Sequence, residues 1–164
     1  MDELRRQLLL WAAAMPVATS LAMPVVQAGA AGDPGAVVDR WFAIITRKSP
    51  SSDLEQVFGP DAVIVLHGLG ANEDGTPRRI EGLEAIRAWV EKQQARLAEP
   101  PDLRVDDRLV DGNKVAVRGR NVWVLHNSSG TTKMAQSIAA FYYVEGDKIV
   151  LIERYVDRIR PKVG

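Results

Sequence analysis

The stretch Gly146-Asp147-Lys148-Ile149-Val150-Leu151-Ile152-Glu153-Arg154-Tyr155-Val156-Asp157 decides the fold: a tight turn, a long apolar strand, and polar residues at its end. Working outward, the preceding residues are strand as well. Residues 131–144 form a long strand that turns through Glu145-Gly146-Asp147 into the last one. Residues 114–126 form another, joined to it by the hairpin loop Asn127-Ser128-Ser129-Gly130. Residues 103–110 lead into them through the turn Asp111-Gly112-Asn113.

The first half of the chain is helical. Asp33-Pro34 has the form of an N-cap with proline at the first helical position. Val37, Val38, Trp41, Ile44 and Ile45 follow at helical spacing, and Ser49-Pro50 ends the run. Ser51-Ser52-Asp53 caps a short second helix carrying Leu54, Val57 and Phe58. Gly59-Pro60-Asp61 is a turn, and residues 62–67 are apolar and β-branched, hence a strand. Residues 68–79 are polar and glycine-rich and read as a mobile loop and lid candidate. Gly82 opens a third helix with Ile86, Trp89, Val90, Gln93 and Leu97 on one face, which Pro100-Pro101 ends. Helices first and an antiparallel meander last define an α+β fold, with three N-terminal helices on one face of a curved antiparallel sheet.

A chain of 164 residues is long enough for one domain with a proper core. Its apolar share of 46% and charged share of 26% are those of a globular protein. Net charge is zero, so nothing electrostatic argues for nucleic acid or an anionic membrane as partner. The basic tail Arg158-Ile159-Arg160-Pro161-Lys162 is short and reads as solvated. Residues 1–30 read as an export signal, so the protein is expected to be periplasmic or secreted, with no membrane partner after cleavage. Arg5-Arg6 precedes a Leu8-Leu9-Leu10-Trp11 cluster and an alanine-rich run, which resembles a twin-arginine signal, with small residues around Ala28 and Ala30 for cleavage. The alternative is an uncleaved anchor, since the apolar run is just long enough to span a bilayer. Residues 33–164 then form a single domain. The absence of cysteine excludes disulfides and thiolate chemistry. Two histidines on different strands, without an acidic cluster, do not make a metal site, and no nucleotide or serine-nucleophile motif is present, so no cofactor is expected. Asn127-Ser128-Ser129 has the form of a glycosylation sequon.

Three segments carry a family resemblance. Phe58-Gly59-Pro60-Asp61-Ala62, Gly82-Leu83-Glu84-Ala85-Ile86-Arg87-Ala88-Trp89 and the closing strand resemble, in order and spacing, motifs of the nuclear transport factor 2-like superfamily. That superfamily includes SnoaL-like polyketide cyclases, limonene epoxide hydrolases and ketosteroid isomerases. The resemblance spans about residues 37–157 and implies a cystatin-like cone: a curved sheet wrapping three helices, with an apolar pocket at the open end. It also implies a homodimer through the outer sheet face, where Val122, Val124 and Tyr155 could supply contacts. The family's acids are not matched. The isomerase aspartate falls at Leu66 and the second isomerase acid near Ala139. Gly119 stands for the hydrolase arginine, and Asn121 and Arg154 stand for its two aspartates.

Strand alternation then places Val115, Val117, Asn121 and Trp123 on the pocket face. A one-residue slip at Gly119 would instead bring in Arg118 and Arg120; burying them unpaired is costly, which favours the unslipped register. The expected pocket is apolar, for a small hydrophobic molecule, with Trp41, Ile64, Leu66, Trp89, Val117, Trp123, Gln136 and Ile138 as its lining. Two readings follow. In the first, His67, turned inward by a bulge at Gly68, is a general base, while Arg154 and Asn121 hold an oxyanion next to a carbonyl or epoxide, as a cyclase, isomerase or hydrolase would require. Arginine itself stays protonated and cannot be the base. In the second, the cone binds an apolar ligand without changing it.

Overall fold

The computed structural model describes residues 32–159. The expected export segment and the end of the basic tail lie outside the described residues. The elements are α1 (Pro34–Ile45), a 3-10 turn (Ser51–Asp53), α2 (Leu54–Val57), β1 (Phe58–Gly68), β2 (Arg78–Glu81), α3 (Leu83–Ala95), β3 (Asp102–Asp111), β4 (Lys114–Asn127), β5 (Gly130–Glu145) and β6 (Lys148–Arg158). They form the α+β fold expected from the sequence, three helices on one six-stranded sheet of order β2-β1-β6-β5-β4-β3.

One feature of the sheet differs from the expectation. The meander runs antiparallel from β3 to β6, but β1 joins β6 in parallel. The helix α3 and four strands intervene between β1 and β6, which gives the long connection that parallel pairing needs. β2, read as the end of a loop, pairs with the outer edge of β1. The loop before it is folded on itself. Asn72 N–H donates to the Thr76 carbonyl at 2.9 Å, and the Thr76 N–H and hydroxyl both donate to Asp74 at 2.9 and 2.7 Å. Those two bonds hold the Asp74 carboxyl below its ordinary value.

The N-terminus of α1 is capped as its sequence requires, with Asp33 Oδ1 accepting from Gly35 N–H at 2.9 Å. Its apolar stripe of Val37, Val38, Trp41 and Ile44 is buried against the inner sheet face. There a row of cross-strand partners, Ile80, Ile64, Ile152, Tyr142 and Val115, runs over five strands, and every member is buried. Trp41 meets Phe58 edge-on at 5.1 Å, and Phe42 meets Tyr142 at 5.9 Å. Each such side chain contributes about 1.5–3 kcal/mol on burial, whereas an exposed ion pair such as Arg79–Glu81 contributes about 0–1 kcal/mol. The narrow end of the cone is therefore held by this apolar plug.

The register of β4 is the unslipped one. Val115, Val117, Gly119 and Asn121 are buried on the inner face. Arg118 and Arg120 stand outside, paired with Asp107 and Asp106 of β3. The irregularity expected at Gly119 lies in its partner, where β3 shifts register between Val105 and Asp107. The backbone of Arg104 presses so close that a Cβ at residue 119 would overlap its carbonyl oxygen.

Candidate functional site

Two connected spaces open at the wide end of the cone. The inner one is a narrow chamber with about 20 Å³ of clear space, room for a water molecule, between the ends of α1 and α3 and the inner faces of β4 and β6. Ile45, Val90, Leu97, Pro101 and Leu103 give it apolar walls. The outer one is an open groove of about 1600 Å³, measured out into solvent, between α3, the turn after β1, and the far ends of β5 and β6. Trp89, Gln93, Trp123 and Arg154 line both and form the doorway between them.

The local sequence explains why a chamber forms here. Arg47 has a left-handed backbone (φ 59°) that ends the α1 segment and aims its guanidinium at α3. It donates to the carbonyls of Gln94 and Leu97, the latter at 3.3 Å. Gln94 Nε2 returns a bond to the Ile44 carbonyl at 3.0 Å. The end of α3 is then stitched to β4 by Ala98 N–H to the Val124 carbonyl (2.8 Å) and His126 N–H to the Arg96 carbonyl (3.0 Å). The free carbonyls at both helix ends are thus satisfied, and the two helices are held apart over the sheet.

Inside this enclosure several polar groups have no partner. Asn121 and Gln136 are the two buried polar side chains among the described residues, and they are cross-strand neighbours. Asn121 is 1% exposed, and its Oδ1 is unsatisfied. Gln136 makes only a 3.8 Å contact from Nε2 to Met134 Sδ. Trp123 Nε1, also buried, donates to nothing. The Arg154 side chain makes no hydrogen bond or ion pair among the described residues. Burial holds its guanidinium below the ordinary arginine value, with Tyr142 pulling the other way, but it stays a cation. Burial also pushes the Tyr142 hydroxyl up to about 12, against the charges of Arg154 and Arg108 and the Trp41 side chain, so it is protonated at neutral pH. An unpaired buried polar group costs about 1–3 kcal/mol; Asn121, Trp123 and Arg154 share the chamber, Gln136 lines the groove, and one more such atom, His67 Nε2, lies away from both.

Of the expected site residues, Asn121, Trp89, Trp123 and Arg154 line the chamber, and Leu66 and Gln136 line the groove. Four expected lining residues do not. Trp41 on α1 and Ile64, Val117 and Ile138 on the inner sheet face are buried without bordering either space. Alternation gives the face of a strand residue but not its depth, and α1 fills the narrow end. Ala139 points outward, and its inward neighbours are Ile138 and Ala140.

His67 is a correction. It faces outward, stacked on Tyr155 with ring centroids 4.1 Å apart and planes 7° from parallel. Its register partner is Tyr155, while Leu66 pairs with Arg154 on the other face. The left-handed Gly68 (φ 65°) does bend the chain, and Leu69 N–H bonds the Val156 carbonyl at 3.0 Å. That bend comes after His67, so the alternation of β1 holds through it. His67 and Arg154 do not meet, and among the described residues no aspartate, glutamate or histidine lines either space. Sequence reading missed Gln93, Thr46 and Gln94 in the chamber, and Arg78, Arg96, Lys133 and Arg158 around the groove. Gln93 had a signal, since it falls on the apolar face of α3.

Among the described residues no helix is long and apolar enough to cross a membrane, and no cluster of three histidine or acidic side chains could hold a metal.

This arrangement, a helix-filled cone with a pocket at its open end, defines a class. A family model for the SnoaL-like domain matches residues 38–152, and the chain belongs to that family. Solved structures agree in fold. IdmH from Streptomyces antibioticus, a polyketide-cyclase candidate, is similar at 20% identity and a TM-score of 0.62, over 77% of this chain and 93% of that one. An LEH-like epoxide hydrolase from M. tuberculosis is similar at 14% identity and 0.59, over 76% and 82%. A protein of ketosteroid isomerase-like fold from Catenulispora acidiphila, in complex with trimethylamine, is similar at 23% identity and 0.56, over 73% and 83%. No curated protein matches the sequence.

Proposed function

We propose that this SnoaL-like domain binds one small apolar molecule bearing an oxygen function, and holds it without proton transfer by its own side chains. The observation that carries this reading is the chamber. Its walls are apolar, its unpartnered polar groups are Asn121, Trp123 and Arg154, and no acid or imidazole among the described residues lines it. An apolar body between Trp89 and Trp123 would gain burial, and a carbonyl or carboxyl oxygen would accept from Trp123 Nε1 and Arg154. The cyclase, isomerase or hydrolase reading needs a base, and the expected one stands on the opposite sheet face.

Gln93→Trp should test the pocket directly, because Gln93 stands in the doorway and is only half-buried. Calorimetric titration with a panel of aryl ketones and esters should give saturable binding, one molecule per chain, for the native protein. It should give a loss of at least about tenfold in affinity for Gln93→Trp, with the melting temperature unchanged. Equal affinity in the two proteins would contradict the reading.

Two further parts of the proposal concern location and assembly. Residues 1–30 direct export and are removed. N-terminal sequencing of protein recovered outside the cytoplasm should find a start between Ala28 and Asp33; an intact Met1 would refute removal. The outer sheet face exposes Tyr155 (43%) and Phe141 (44%), which meet edge-on at 6.4 Å, and we assign it to a second copy of the chain. Sedimentation should give a dimer that Tyr155→Asp converts to a monomer; a native monomer at high concentration would refute it.

A further inference from the structure

The distribution of arginine partners separates the groove from the rest of the molecule. Eight described arginines lie away from it, and every one has a partner. Arg79, Arg87, Arg104, Arg108, Arg118 and Arg120 are in ion pairs. Arg40 donates to the Asp147 carbonyl, and Arg47 to the end of α3. The four that line the groove, Arg78, Arg96, Arg154 and Arg158, have no hydrogen-bonded or ionic side-chain partner among the described residues. With Lys133 at the rim, all five ionisable groups lining the groove among the described residues are cations.

These arginines are not a run in sequence. Arg78 comes from β2, Arg96 from the end of α3, and Arg154 and Arg158 from β6. The sheet register places Arg78, Arg154 and Arg158 on its inner side. Arg78 and Arg154 flank Leu66 in one cross-strand row. Arg158, Gln136 and Asn121 form another, so the two buried amides continue the row from the groove into the chamber. A chain of zero net charge has therefore gathered around one opening four guanidinium groups unpaired among the described residues. Their mutual repulsion, and the partial burial of Arg154, disfavour the empty state. An anion in the groove would remove both penalties, and the planar guanidinium fork matches a carboxylate or phosphate in two parallel bonds.

We propose that the ligand of this pocket is an amphipathic anion: an apolar body against Trp89 and Trp123 at the doorway and a carboxylate or phosphate monoester in the groove, held by Arg154 together with Arg78 and Arg158. The proposal rests on the binding reading above and specifies the chemical class it takes. A second consequence is salt dependence. The anionic head is held near the surface and loses affinity as ionic strength rises, while a neutral analogue does not.

The test compares matched ligands on the full-length chain. Naphthoate and biphenyl carboxylate, their methyl esters, and naphthyl phosphate are titrated by calorimetry at low and high salt. The expected result is that an acid binds more than about tenfold tighter than its ester at low salt, and that high salt narrows the gap. In the double variant Arg78→Gln/Arg158→Gln the gap should fall below about threefold. The double variant Arg40→Gln/Arg79→Gln, which removes the same charge away from the groove, should keep it. A preference for carboxylate over phosphate, or the reverse, supports the proposal and selects the head group. Equal binding of acid and ester overturns the proposal and leaves the pocket reading standing. A gap that survives Arg78→Gln/Arg158→Gln also overturns it. Binding of no member of the panel overturns the pocket reading and the proposal with it.

Discussion

Arg154→Met is expected to make the ligand-free protein more stable and its ligand binding much weaker. Arg154 is a cation set into an apolar wall with no partner, and burial already disfavours its charged form. Methionine keeps the length and the aliphatic stem but removes the desolvation cost. By analogy with replacement of buried ionic groups by apolar ones, a gain of about 1–3 kcal/mol is expected. For a domain of this size that is a rise of several degrees in the melting temperature. The same substitution removes the strongest donor facing the chamber, so affinity for an oxygen-bearing ligand should fall by about tenfold to a hundredfold. Opposite signs in stability and binding are the mark of a residue kept for a ligand. If Arg154 were structural, the variant would melt earlier; that outcome, with unchanged affinity, would count against the account.

Gly119→Ala should give a large loss of stability. The added carbon would overlap the Arg104 carbonyl oxygen, and that atom belongs to the backbone of a paired strand, so no side chain can rotate away. The bulge in β3 would have to move, taking with it Asp106 and its ion pairs to Arg104 and Arg120. A cost of about 2–4 kcal/mol is expected, visible as a shift in the urea midpoint. Asn121, two residues further along β4, would shift with it, so ligand affinity should fall as well. A variant as stable as the native protein would show that β3 does not press on β4 as described.

The closing strand and the two before it were legible because they are long, and because their alternation fixes faces without reference to anything else. That is why Asn121, Trp123 and Arg154 could be placed inside, and Arg118 and Arg120 outside, before any contact was known. His67 was misplaced because a bulge next to a glycine was expected to act on the residue before it, whereas the bend at Gly68 acts on the residues after it. Trp41, Ile64, Val117 and Ile138 were assigned to the pocket because sequence gives no measure of how far up a cone a helix reaches. The groove arginines were invisible for a third reason. Arg78 reads as the end of a loop, Arg96 as a helix terminus and Arg158 as a solvated tail. Only tertiary structure brings them to the same opening. Their lack of partners is a property of all the other ion pairs at once, and no local window of sequence contains it.

The central claim is that the unpartnered polar groups of the chamber are satisfied by a ligand, and the Trp123 indole N–H reports on this most directly. Its proton can be assigned in a nitrogen–proton correlation spectrum by its loss in Trp123→Phe. On titration with the tightest-binding acid, the account predicts a saturable downfield shift of the Trp123 indole proton, as it gains an acceptor, with Trp41 in the apolar plug nearly unmoved. A ligand that binds with the same stoichiometry and leaves the Trp123 indole proton where it was would contradict it.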